Sequence, residues 1–199
     1  MTANMENGSG RRGNSWRIVV WGTAGFLLLL PLGAMQFSKE VRWTLSDFVV
    51  FGAMLLVACG TYELATRLSG HTAYRAAVGV AVVGGFLLVW MNLAVGIIGS
   101  EEHSANLMFA GVLAVGAIGG FITRFRPHGM ARALVATALA QALVAVIALI
   151  AGLGAIPLLI LTGVYVALWL TSAGLFRKAA REQTPASDLT SLGRTLRAR

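Results

Sequence analysis

Charge is what this sequence has least of. Only 12% of its 199 residues are Asp, Glu, Lys or Arg, about half the fraction usual in a soluble domain. Acidic residues number 8, and none lies at the centre of an apolar run, which leaves no carboxylate for a proton path through a membrane. Cysteine is represented by Cys59 alone. It sits within an apolar run, cannot form an internal disulfide and reads as a small packing residue. The three histidines, His71, His103 and His128, are assigned to loops, which argues against a haem held by axial ligands within helices. No P-loop, GxSxG or HExxH pattern occurs, so no catalytic, cofactor-binding or metal-binding residue is assigned.

What the sequence has in quantity is apolar length. Hydrophobic residues make up 57% of the chain, mean hydropathy is +0.75, and there are 24 glycines, mostly inside the apolar runs. Small residues in such runs let membrane helices approach closely. Six runs stand out, at 18–36, 48–66, 76–99, 106–123, 133–152 and 155–176. Each is long enough as a helix to cross roughly 30 Å of hydrocarbon, and lipid leaves an exposed backbone no alternative to helix. Runs five and six, read as one helix, would be too long for a single crossing. Gly152, Gly154 and Pro157 therefore predict a tight hairpin. The expectation is an all-α polytopic membrane protein, a six-transmembrane-helix bundle over 18–176. A disordered cytoplasmic tail is expected at 1–17 and a basic cytoplasmic tail at 177–199.

Arginine placement orients the bundle. Arg11, Arg12 and Arg17 precede run one, Arg67 and Arg75 follow run two, and Arg124, Arg126 and Arg132 follow run four. The six basic residues after run six bring that side to fourteen, against Lys39 and Arg42 on the other. The positive-inside rule then puts both ends in the cytoplasm. Arg11-Arg12 is explained by that role without a twin-arginine signal, and Gly33-Ala34-Met35 makes a poor cleavage site, so run one is expected to remain as a helix. The charge of +8 sits between and after apolar runs rather than on one face. It fits anionic lipid headgroups better than nucleic acid.

Polar residues inside the runs are the candidate sites, because each needs a partner in hydrocarbon. Asn92 shares a helix face with Gly85, Gly96 and Gly99. Gln141 shares one with Ala133, Thr137 and Ala145 at strict four-residue spacing. Gly116 and Gly120 mark a third close-packing face. Asn92, Gln141 and Thr137 are thus candidates for helix-to-helix hydrogen bonding or for lining a polar cavity. At the outer end Asp47 is placed to cap run two, and at the cytoplasmic boundary Glu63 lies one turn before Arg67. Glu101, Glu102 and His103 form an acidic outer mouth too crowded in sequence to close a tetrahedral metal site. Trp169 is deeper than an interfacial aromatic should be, and is expected between helices.

The strings YELATRLSGHTAYRAAVG (62–79) and WMNLAVGIIGSEEHSANLM (90–108) resemble small multi-pass bacterial membrane proteins to which no activity is attached. The resemblance spans roughly 43–176 and implies a bacterial inner-membrane location. Three functional readings follow. The leading one is a non-enzymatic accessory or assembly subunit, with a membrane-protein partner or a second copy. The second is a small solute or ion transporter with a polar path near Asn92 and Gln141. The third is a membrane enzyme using Glu101, Glu102 or His103 at the outer face.

Overall fold

The computed structural model describes residues 8–38, 41–98, 104–153 and 156–197, with side chains described only between 16 and 183 of these. Among the described residues the chain is helical, without strands. Its helices are α1 (Gly8–Phe37), α2 (Leu45–Leu68), α3 (Thr72–Ala94), α4 (Leu107–Ile122), α5 (Pro127–Ile150) and α6 (Ile156–Arg197), with a single 3-10 turn, Ser104–Asn106, leading into α4. Six apolar segments of 19 to 28 residues, the fourth running from Ser104 through α4, are each long enough to cross a bilayer. The all-α, six-helix expectation holds, and the chain is a multi-pass membrane protein.

Its contacts divide it into two compact units, 1–64 and 65–199. The first is an antiparallel helix pair. Arg17 meets Glu63 at 2.8 Å, the indole of Trp21 donates to the same carboxylate at 3.1 Å, and Trp16 lies against Tyr62. Farther along, Leu28 reaches Gly52, in keeping with one antiparallel register. At the other end Thr44 and Asp47 form a capping box. Asp47 accepts from the Thr44 amide at 2.7 Å and from its hydroxyl at 2.8 Å, and the Thr44 oxygen accepts from the Asp47 amide at 3.4 Å. That exchange satisfies amides left open at a helix start. Trp43 packs edge-on against Phe48 and Phe51 beside it.

The second unit holds α3 to α6. Helix α5 packs between α4 and α6, and α3 lies along α6. Small residues govern the approach. A Cβ on Gly116 would stand 3.0 Å from the Thr137 hydroxyl, and one on Gly119 would stand 2.7 Å from the Ala133 Cβ. Gly120 faces Phe125 and Met130, and Gly84 takes the six-membered ring of Trp169. The Ser172 hydroxyl donates to the Ala77 carbonyl at 2.7 Å, tying α6 to α3.

Three expected boundaries are corrected. Helix α1 begins at Gly8 rather than after a disordered 1–17, because adding a turn to an existing helix is far easier than nucleating one. Residues 1–7 lie outside the described residues. Helix α6 likewise continues past 176 to Arg197. Helix α3 ends at Ala94, short of 99. The amides of Val95 and Gly96 both reach the Met91 carbonyl, and Gly96 takes a left-handed φ of 72°, which glycine adopts without steric cost. Gly96 is therefore a turn residue and not part of a packing face with Gly85 and Asn92. Gly99 lies outside the described residues. His128, expected in a loop, belongs to the first turn of α5.

Candidate polar site in the four-helix unit

Helix α5 is built to be surrounded. Ala133, Thr137, Gln141 and Ala145 are all buried, as are Ala138, Val144 and Ala148. Alanine dominates this face, so the neighbouring backbones come close and the long side chain of Gln141 is enclosed within the unit. Gln141 is 0% exposed, and neither its oxygen nor its nitrogen has a hydrogen-bond partner. Thr137, one turn away, satisfies itself by donating to the Ala133 carbonyl at 2.9 Å. An amide buried without partners carries a cost of several kcal/mol relative to water. Gln141 is therefore not a direct helix-to-helix bond of the kind that Ser172 makes.

Asn92 closes the loop between α3 and α4. Its amide nitrogen donates to the Asn106 carbonyl at 3.3 Å, and the Asn106 side-chain oxygen accepts from the amides of Ile97 and Ile98 at 3.2 and 2.9 Å. The Asn92 side-chain oxygen is buried and has no partner. Glu101, Glu102 and His103 follow in that loop and lie outside the described residues. Asp47 is committed to its capping box with Thr44, and Glu63 to Arg17 and Trp21.

Thr162 went unread in the sequence, and Trp169 was read there as a packing residue only. Thr162 and Trp169 on α6 are buried, and the Thr162 hydroxyl and the Trp169 indole nitrogen have no partner. The signal was present: Thr162, Tyr165, Trp169 and Ser172 recur at three- and four-residue spacing, one face of a helix. All four are buried. The indole of Trp169 fits between α6 and α3 as expected, against Gly84 and Gly85.

Heights along the unit follow from its cross-helix contacts. Ser172 lies opposite Ala77, Trp169 opposite Gly84, Thr137 opposite Gly116 and Ala133 opposite Gly119. Helices α5 and α6 run antiparallel from the turn at Gly152, whose φ is 72°. On this register Trp169 stands level with Thr137. Gln141, Thr162 and Asn92 then follow toward the α3–α4 loop at intervals of about one turn, ~5 Å each.

At the opposite end of the unit an open groove of about 510 Å³ lies between the start of α3 and α6, lined by His71, Thr72, Lys178 and Glu182 among others. It carries both signs of charge and is separate from the interior set.

No protein-family model, curated protein or solved structure matches the chain.

Proposed function

We propose that the chain is a non-enzymatic accessory or assembly subunit of a bacterial inner membrane, with both ends in the cytoplasm and anionic lipids at its arginine clusters. The observation that carries this reading is the set of open glycines on one side of α1. In the four-helix unit Gly84, Gly116, Gly119 and Gly120 are taken up in close contacts, while Gly111, Gly163 and Gly174 are open. In the helix pair a Cβ on Gly22, Gly25, Gly33 or Gly60 would meet no atom of that unit within 4 Å. Gly22, Gly25 and Gly33 fall within one side of α1. Glycine inside a helix costs up to about 1 kcal/mol relative to alanine, and in membranes that cost is offset where another helix packs on it. A face of this kind suits a helix from another chain. Location and orientation rest on the family resemblance and on the fourteen-to-two distribution of basic residues.

The test is co-purification from mild detergent, comparing the native chain with Gly22→Leu and Gly25→Leu. A defined partner or second copy that is lost in the variants supports the reading. A solitary monomer in both cases overturns it.

A second reading, passage of a small solute through the four-helix unit, is favoured by the orphaned amide of Gln141. Uptake into proteoliposomes tests it. Uptake unchanged by both Asn92→Leu and Gln141→Leu would remove those residues from any path.

A further inference from the structure

Five buried side-chain atoms among the described residues lack a hydrogen-bond partner: Asn92 Oδ1, Gln141 Oε1 and Nε2, Thr162 Oγ1 and Trp169 Nε1. All five belong to the four-helix unit, and they come from three different helices. They do not scatter along it. The register places them in succession, Trp169, Gln141, Thr162 and then Asn92, each about one turn (~5 Å) beyond the last. A rise of one turn already exceeds the reach of a direct bond, so a water between successive groups is what could satisfy both.

We infer that these residues line a hydrated polar thread: an internal site for water and water-sized uncharged solutes, running from mid-helix toward the α3–α4 loop. The chemistry sets the guest. Gln141 offers two donors and an acceptor, Thr162 one of each, Trp169 a donor and Asn92 an acceptor. Among the described residues of this unit, no Asp, Glu, Lys, Arg or His is buried. A bare ion would therefore find no counter-charge in a medium where its desolvation is severe. A neutral guest carrying both donors and acceptors meets every open position, and buried water makes about three such bonds.

The thread has a closed end. Beyond Trp169 the polar groups are already used or absent. The Ser172 hydroxyl is bound to the Ala77 carbonyl, Tyr74 stacks edge-on upon Phe176 at 5.2 Å, and Ala77, Phe176 and Ala179 are 0% exposed. The indole of Trp169, lodged against Gly84 and Gly85, is the plug. The site reaches partway through the unit. It extends the transport reading above, but its test reads hydration alone and does not depend on anything being carried across.

The experiment uses thiol reactivity in lipid nanodiscs, where both faces are accessible. In a Cys59→Ala background, cysteine is introduced singly by Thr162→Cys, Ser172→Cys and Ile160→Cys, and a small neutral methanethiosulfonate is the probe. Only a thiolate reacts, so a thiol must contact water to be modified. Position 160 is 64% exposed and faces lipid, whereas position 172 is 0% exposed and lies beyond the plug. Modification at 162 at least tenfold faster than at both others is expected. A rate at 162 no greater than that at 160 overturns the inference. The unaltered chain gives a second reading by NMR, with the indole resonance assigned through its loss in Trp169→Phe. Exchange of the Trp169 indole proton with D₂O within minutes to hours is expected, and protection lasting days overturns the thread.

Discussion

At the scale of single residues, glycine and tyrosine decide how α3 meets its neighbours. Gly84 and Gly85 are adjacent in sequence but differ in room. A Cβ on Gly84 would lie 3.3 Å from the Trp169 ring, while one on Gly85 would meet Leu113 at an ordinary 3.7 Å. Gly84→Leu should therefore destabilise the unit by about 1–3 kcal/mol, the usual cost of overpacking. Gly85→Ala should be tolerated or slightly stabilising, since alanine is the better helix former. Thermal unfolding of the two variants in the same detergent checks the pair, and equal losses would show that Trp169 does not fill the space assigned to it. Tyr74 is the other test. It is 3% exposed, and its hydroxyl donates to the Phe125 carbonyl at 3.0 Å. Tyr74→Phe leaves the ring on Phe176 and removes only that bond. A loss of about 1 kcal/mol is expected, read as a lowered unfolding temperature in the same assay.

At the scale of elements, that same carbonyl belongs to the tightest connection in the unit. Between α4 and α5, Arg124 and Phe125 both take left-handed backbone conformations, with φ of 50° and 56°. Non-glycine residues there carry strain of order 1 kcal/mol or more each. The turn is held by the Phe125 amide on the Gly120 carbonyl at 3.0 Å, by Tyr74 from α3, and by the edge-on rings of Phe121 and Phe125. Arg124→Gly should raise stability by up to about 1 kcal/mol, because glycine takes this φ freely. An unfolding temperature that falls would mean that the Arg124 side chain contributes more than its backbone costs.

The elements also show how far the residues could be read before the structure. Hydrophobic length alone located six helices, since in a bilayer that length has one structural outcome. Gly152 correctly marked the division of α5 from α6, and Gly154 lies outside the described residues. The end of α3 was misread, because Gly96 in an apolar run has the same composition whether it packs or turns. Only its bond to Met91 distinguishes the two. The stripe of Ala133, Thr137, Gln141 and Ala145 was legible as a buried face through its four-residue spacing. On α6 Trp169 was placed between helices, but Thr162 and the stripe they share were missed, because threonine is an ordinary residue in membrane helices. What singles them out is the absence of a partner, and that is a property of three dimensions. Gly119 went unread for a related reason: the GxxxG pattern drew attention to Gly116 and Gly120, yet of the α4 glycines it is Gly119 that lies nearest α5.

At the scale of the whole molecule, every assignment of inside and outside follows from six crossings and the side on which the arginines lie. The bias does not hang on any one cluster. Removing Arg11 and Arg12 would leave twelve basic residues on the proposed cytoplasmic side against two on the other, and short-loop arginines near the helix ends would still retain that side. The Arg11→Ala, Arg12→Ala double variant is therefore expected to keep its orientation. Fusions of a reporter that is active only after export check this directly. Activity is expected after residue 102, in the α3–α4 loop, and again after residue 153, between α5 and α6. None is expected after residue 70 or 126. The four positions constrain one another. A seventh crossing or a missing one would change the side of only the fusions beyond it, whereas inversion of the whole chain would exchange all four. A fusion left inactive at 102, with those at 70 and 126 active, would invert the bundle. The thread would then run toward the cytoplasmic face, and Gln141 would still be buried at the same height.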